Sequence, residues 1–104
     1  MDRIEKINEF LKSTPGDSFL LHALALEYIK LGNEPAAREI FENILASDPD
    51  YIGSYYHLAK LLERTGETNL AIAWYEKGME AASKARDLHA LNELRSAYED
   101  LTDA

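Results

Sequence analysis

Apolar residues along this chain recur at the spacing of amphipathic helices. Between residues 21 and 31, and again between residues 37 and 45, they are separated by three or four positions and so share one stripe of an α-helix. In order they are Leu21, Leu24, Tyr28 and Leu31, then Ala37, Ile40, Phe41, Ile44 and Leu45. The periodicity predicts an all-α chain of about six helices, over residues 2–13, 18–31, 34–47, 51–65, 68–84 and 88–101.

The same pattern occurs twice along the chain. Pro15 recurs at Pro49 and Gly32 at Gly66, a spacing of 34 residues. The other matched pairs are Leu24 with Leu58, Ala25 with Ala59, Ala37 with Ala71, Phe41 with Tyr75, and Leu45 with Met79. A period of this length is typical of stacked units, each too small to bury its own apolar face.

Small residues occupy the positions where helices are expected to cross. Ala25 and Ala59 fall on the first helix of each unit, and Ala37 and Ala71 fall on the second. A larger side chain there would hold the helix axes beyond about 8–10 Å. Gly78, in the middle of the fifth helix, is assigned to a similar tight position.

Helix ends are predicted from glycine, proline and aspartate. Gly32 and Gly66 fall where a left-handed residue can close a helix without a Cβ clash. Asp50, just after Pro49, is the expected N-cap of the fourth helix. A break near Asp87 is expected to separate the fifth helix from the sixth.

These motifs resemble the tetratricopeptide repeat. The first unit reads Leu21-x-x-Leu24-Ala25-x-x-Tyr28, then Ala37-x-x-x-Phe41 and Pro49; the second reads Tyr55-x-x-Leu58-Ala59-x-x-Leu62, then Ala71-x-x-x-Tyr75, with Ser83 in place of the proline. The resemblance implies a right-handed α-solenoid of antiparallel helix pairs. It divides a single domain, 1–104, into an N-terminal half repeat (1–15), two repeats (16–49 and 50–83) and a capping helix (84–104).

The two ends depart from the repeat. At the start, Ile4, Ile7, Phe10 and Leu11 are expected to pack on the helix after Pro15, which leaves this half repeat with an open edge. At the end, one stripe is apolar and the opposite face is polar, as a terminal cap requires. The stripe consists of Leu88, Leu91, Leu94, Tyr98 and Leu101.

Composition narrows the class of function. The net charge of −8 opposes nucleic-acid binding, which needs cations to replace phosphate counterions. No apolar run reaches the roughly 18–20 residues of a membrane span, and the first residues do not resemble a secretory signal. The chain has no cysteine, which excludes disulfides and thiolate metal sites. A cytoplasmic protein with neither nucleic-acid nor membrane partners is expected.

The sequence carries no motif for catalysis. It has no glycine-rich phosphate loop, no His-Glu-x-x-His and no nucleophile elbow. His22, His57 and His89 are too far apart for a local metal motif. His22 and His57, on the first helices of the two repeats, are the only pair left for a metal site. We therefore predict no enzyme, cofactor or metal.

The resemblance places ligands in a concave groove lined by the first helix of each repeat. By position, the partner-binding residues are Phe19, His22, Leu26, Ile29, Tyr56, His57, Lys60 and Arg64. Lys60 and Arg64 favour an acidic ligand, whereas the adjacent Glu63 favours a simple solvated pair. Chaperone-binding relatives hold a C-terminal carboxylate with lysine, arginine and asparagine. His22 and Leu26 stand at the matching places here, so that clamp is missing its asparagine and lysine.

Two functions are consistent with these features. The principal interpretation is a non-catalytic protein–protein interaction module, a scaffold or adaptor that binds a peptide or a partner's helix in the groove. The alternative is a homodimer formed through the open N-terminal edge and the apolar patch at Phe19, Leu26 and Ile29. In a third possibility, the half repeat or the capping helix folds over that patch.

Overall fold

The computed structural model describes residues 2–103, which form six α-helices and no strand. The helices are α1 (Arg3–Leu11), α2 (Ser18–Lys30), α3 (Glu34–Ser47), α4 (Gly53–Arg64), α5 (Thr68–Ala85) and α6 (Leu88–Thr102). The all-α prediction is confirmed, and each predicted helix ends within about two residues of its observed bounds. The helices form two compact units, unit 1 up to Asp48 and unit 2 from Pro49 onward.

Unit 1 contains α1, α2 and α3. Because only a short turn at Gly32 joins them, α2 and α3 run antiparallel, and the left-handed Gly32 (φ 78°) closes α2 as expected. The Asp17 carboxylate accepts a hydrogen bond from the Leu20 N–H at 3.0 Å and caps α2. The buried apolar side chains are Ile7, Leu24, Ala25, Ala37, Phe41, Ile44 and Leu45.

Unit 2 contains α4, α5 and α6. Gly66 (φ 82°) closes α4, while a non-glycine residue, Arg86 (φ 58°), takes the left-handed conformation that ends α5. Asp87 then caps α6 by accepting from the Ala90 N–H at 3.0 Å, which confirms the predicted break. The buried apolar side chains are Tyr55, Leu58, Ala59, Leu61, Leu62, Ala71, Tyr75, Ala82, Leu94 and Ala97.

The small residues that were predicted at helix crossings are buried, and Gly78 lies at a close approach between helices. Ala25, Ala37, Ala59 and Ala71 are all 0% exposed. A Cβ added at Gly78 would lie 2.7 Å from the Tyr55 Cβ, inside van der Waals contact. A side chain larger than the native one has no room at Gly78 without a backbone shift.

Two predictions about single elements are wrong. Asp50 does not cap α4, which begins at Gly53 with no side-chain cap. A turn precedes the helix instead, in which the Tyr51 and Ile52 carbonyls accept from the Ser54 and Tyr55 N–H groups, each at 3.2 Å. Leu31, grouped by its spacing with the apolar stripe of α2, is 69% exposed because it is the residue after the last turn of the helix.

The terminal helices bury part of their predicted stripes. In α1, Ile7 is buried and Ile4 and Leu11 are half-buried, but Phe10 is 65% exposed. Successive residues turn by 100° along a helix, so Phe10 lies on the opposite side of Ile7 from Ile4 and Leu11. The prediction that Phe10 packs on α2 is therefore wrong.

In α6, Leu94 is buried, and Leu91, Tyr98 and Leu101 are half-buried. Leu88, the first residue of the helix, is 67% exposed. The packed part of the stripe therefore begins one turn into α6.

Among residues 2–103, no helix has both the length and the hydropathy needed to cross a membrane.

Candidate protein-binding surface

In unit 1, the predicted binding residues follow one side of α2. Phe19, His22, Leu26 and Ile29 are three or four positions apart, so they share a face of the helix. Phe19 is 70% exposed, and the other three are half-buried. No member of the set is fully buried, and the core positions of α2 are filled by other residues, Leu24 and Ala25.

The edge of this face is fixed by the core of unit 1. The His22 ring meets the Phe41 ring edge-on, with centroids 5.5 Å apart and planes at 62°. Phe41 is fully buried, so its contact with His22 fixes the orientation of the imidazole ring against the core. The His22 side chain therefore packs at the boundary of the core.

The half repeat approaches α2 from another side. Arg3 of α1 donates to the Glu27 carboxylate at 3.1 Å, and Lys30 donates to the same oxygen at 3.1 Å. Glu27 is about 160° around the helix from Ile29. The contact of Arg3 with Glu27 therefore does not cover Ile29.

In unit 2, the predicted residues of α4 form a cluster of aromatic and charged side chains. Tyr56, His57 and Lys60 are half-buried, and Arg64 is exposed. The Tyr56 and His57 rings meet edge-on at 5.7 Å, and the Lys60 Nζ lies 5.8 Å from the Tyr56 ring centroid. The cluster thus presents an aromatic face with a cation beside it.

A glutamate controls the charge of this cluster. The Lys60 Nζ lies 3.6 Å from the Glu63 carboxylate, which also accepts a short hydrogen bond from the Tyr75 hydroxyl of α5. Burial, and then the hydrogen bond and charge of Glu63, raise the pKa of Tyr75, so that the hydroxyl stays protonated and donates. Lys60 is consequently paired, which weakens the predicted preference for an acidic ligand.

Tyr75 is the member of this cluster that sequence reasoning missed. It occupies the repeat position of Phe41, which predicts only an aromatic ring of the apolar stripe. The signal was the additional hydroxyl, because a buried tyrosine needs a hydrogen-bond partner. Glu63 of α4, twelve residues earlier in the chain, supplies it.

His57 lies at the α6 side of α4. Burial lowers the pKa of its imidazole, the negative charge of Glu93 in α6 opposes that change, and the positive charge of Arg64 adds to it. The neutral ring, which both donates and accepts hydrogen bonds, is therefore favoured near neutral pH.

Within residues 2–103, no group of three or more histidine, aspartate or glutamate side chains is placed to hold a metal ion. His22 belongs to unit 1 and His57 to unit 2, so a metal site shared by them stays a prediction. The same holds for a groove lined by both α2 and α4.

Comparisons with known proteins identify the repeat. A family model described as tetratricopeptide repeat matches residues 28–96. A tetratricopeptide repeat domain protein from Salinibacter ruber, solved by NMR, is 40% identical with a TM-score of 0.82, over 86% of this chain and 90% of that chain. A crystal structure of a Salinibacter ruber domain protein of the same description is 41% identical with a TM-score of 0.79, over 82% and 94%.

A more distant structure shares the fold alone. The TPR2B domain of yeast Sti1, solved as a complex with pHsp70, is 17% identical with a TM-score of 0.87, over 96% of this chain and 80% of that chain. A search of curated proteins gives no match. The family model spans well over half of the residues. The chain belongs to the tetratricopeptide repeat family.

Proposed function

We propose that this chain is a non-catalytic module that binds a peptide or a partner's helix through the faces of α2 and α4 described above. The family is generally a protein-interaction fold, which supports the class of function. The observation that carries the proposal is the apolar face of α2, where Phe19, Leu26 and Ile29 stay partly exposed beside a filled core. Partly exposed aromatic and aliphatic side chains are typical anchors of an interface.

The ligand we propose has apolar side chains that pack on α2 and a polar or aromatic group that contacts α4. Tyr56 and His57 offer ring edges and hydrogen bonds, and Lys60 is already paired with Glu63. A carboxylate clamp of the chaperone-binding type is not part of the proposal, since His22 and Leu26 stand where its asparagine and lysine would be. The binding of pHsp70 is a property of yeast Sti1, and the proposal does not extend it to this chain.

The test is a double variant, Leu26→Glu with Tyr56→Ala. It places a charge on the apolar face of α2 and removes the aromatic ring of α4, while the repeat positions stay intact. Proteins captured from the native host by the wild type are quantified by mass spectrometry. We expect specific partners to be lost from the double variant, and circular dichroism to show an unchanged helix content.

A matched control makes the same chemical changes elsewhere. Leu31→Glu with Tyr98→Ala alters an exposed leucine and a half-buried tyrosine outside the proposed faces. It should retain every partner. If the folded double variant retains them as well, the binding surface lies elsewhere; if it unfolds, these residues belong to the core and the proposed faces are wrong.

A further inference from the structure

A second apolar surface lies in unit 1, between α1 and the start of α2. Phe10 is 65% exposed and Phe19 is 70% exposed, and with Leu20 they line an open pocket of about 810 Å³. Lys6, Glu9 and Asp17 contribute charges to the same lining. We call this the Phe10–Phe19 pocket. Exposed aromatic rings at an open pocket are costly in water and favour an occupant.

The pocket has the two features that a self-complementary surface requires. It presents both projecting rings and a depression that a ring can enter. It also carries charges of both signs: Lys6 and Glu9 are one turn apart on α1. In a two-fold interface each copy contributes the same patch, so Lys6 of either copy can meet Glu9 of the other.

The rim charges are available for such an exchange. Lys6 forms no ion pair with any of residues 2–103. Within the same described range, Glu9 pairs only with Lys12, at 3.2 Å, and their side chains are 60% and 73% exposed. An exposed pair of this kind contributes little and gives way easily to a new partner. Asp17 is committed to capping α2.

We propose that the Phe10–Phe19 pocket binds a second copy of this chain in a two-fold dimer, with the phenylalanine rings buried at the centre and Lys6–Glu9 pairs across the rim. This surface shares Phe19 with the α2 face of the proposed function, but its other lining residues lie outside the ligand-binding faces, and the inference goes beyond that function. It also differs from the patch predicted from sequence, because Phe19 lines the pocket with Phe10, whereas Leu26 and Ile29 do not line it.

The size of the surface sets the strength of the dimer. α1 has nine residues and is therefore only about 14 Å long. An interface centred on it falls at the small end of specific interfaces, below about 1,200 Å² in total. The dimer is therefore weak, with a Kd of about 10 µM to 1 mM. The net charge of −8 also opposes association.

The primary experiment is sedimentation equilibrium at about 0.15 M salt, over protein concentrations that bracket this Kd. The wild type should pass from monomer to dimer mass. Phe19→Ser should weaken dimerisation by about tenfold or more, because a central aromatic anchor is lost. Leu88→Ser, which removes a leucine that is 67% exposed at the start of α6, is the matched control and should dimerise like the wild type.

Charge exchange tests the identity of the occupant. Lys6→Glu alone and Glu9→Lys alone should each weaken the dimer by about threefold, since each removes both symmetric ion pairs. The double variant Lys6→Glu with Glu9→Lys should regain the wild-type Kd, because the reversed charges pair again. Only a second copy of the same surface gives that recovery.

Three results would overturn the proposal. The first is a wild type that stays monomeric across the range, which would assign the pocket to another partner. The second is an equal loss in Leu88→Ser and Phe19→Ser, which indicates non-specific association. The third is a charge-reversed double variant that is no better than its single variants. The ligand-capture experiment with Leu26→Glu and Tyr56→Ala is independent of all three.

Discussion

His57 is a single residue whose environment predicts a dependence of stability on pH. Its pKa is lowered in the folded chain, chiefly by burial, so the unfolded chain binds a proton more readily. Burial of the neutral ring therefore contributes to the stability of the fold. This contribution is complete above the ordinary histidine pKa of about 6.5 and is lost as the pH falls through that value toward the folded pKa. The melting temperature of the wild type should therefore fall below about pH 6.5.

Variants separate this effect from general acid denaturation. The fall in melting temperature between pH 7.5 and about pH 5 should be smaller in His57→Gln than in the wild type. Glu93→Gln should enlarge it, because the charge that favours protonated His57 is removed. His89→Gln, at an exposed site, should keep the wild-type slope. Equal slopes in all four proteins would show that His57 does not contribute.

Tyr75 and Phe41 show which properties of a single residue can be predicted from the sequence and which cannot. Their repeat position predicts a buried aromatic ring, and both are fully buried. The sequence alone does not say which acceptor the Tyr75 hydroxyl reaches, since Glu63 is twelve residues away and its direction depends on how α5 crosses α4. Similarly, periodicity places Phe10 on the same stripe as Ile7. Whether Phe10 is buried depends on how much of that stripe the neighbouring helix covers.

At the scale of elements, the crossing of α4, α5 and α6 limits what Gly78 can become. Alanine would favour the helix intrinsically by about 1 kcal/mol. Its Cβ would lie 2.7 Å from the Tyr55 Cβ and 3.2 Å from a Leu94 methyl group, and the first of these contacts is with the stiff base of a buried side chain. We expect the overlap to prevail, so that Gly78→Ala lowers the free energy of unfolding by about 1–3 kcal/mol.

Urea denaturation measures this change. Gly16→Ala is the control, because a Cβ at Gly16 meets nothing within 4 Å and the backbone there is not left-handed. It should leave the unfolding midpoint nearly unchanged. A Gly78→Ala protein as stable as the wild type, or more so, would mean that α5 shifts away from Tyr55 at negligible cost.

Helix bounds were predictable from sequence to the extent that their ends carry a local signal. Gly32 and Gly66 close α2 and α4 as expected, since few other residues adopt a left-handed conformation cheaply. Asp50 does not cap α4, because an aspartate after a proline can cap a helix only if the helix starts at once, and here a turn intervenes. The end of α5 uses Arg86, which composition does not distinguish from any other exposed arginine.

For the whole molecule, the terminal helices differ in how fully they are covered. α6 packs on α5 and α4 and buries Leu94 and Ala97, whereas α1 leaves Phe10 exposed beside Phe19. The repeat pattern predicts that terminal units are atypical, but it does not give their exposed area. Neither the partner of α2 and α4 nor the use of the Phe10–Phe19 pocket follows from the repeat, because both depend on surface residues that the repeat leaves unspecified.

Removal of residues 88–104 tests whether α6 is a cap. The buried surface beneath Leu94 and Ala97 would be exposed, so we expect a lower melting temperature and new oligomers. These oligomers should persist in the truncated chain carrying Phe19→Ser, because they form through a surface other than the Phe10–Phe19 pocket. Light scattering after size exclusion distinguishes them from the weak dimer of the full chain.

If the truncated chain fails to fold, two point variants of the full chain test the same role of α6. In the full chain, Leu94→Ala leaves a cavity beside Gly78 and should cost about 2–5 kcal/mol, whereas Leu88→Ala at the exposed start of α6 should cost little. If Leu94→Ala is as mild as Leu88→Ala, α6 is not held by its apolar stripe. A truncated chain that stays monomeric and melts like the wild type would show that α6 is dispensable, and the hydrophobic surface of unit 2 would then need no cap.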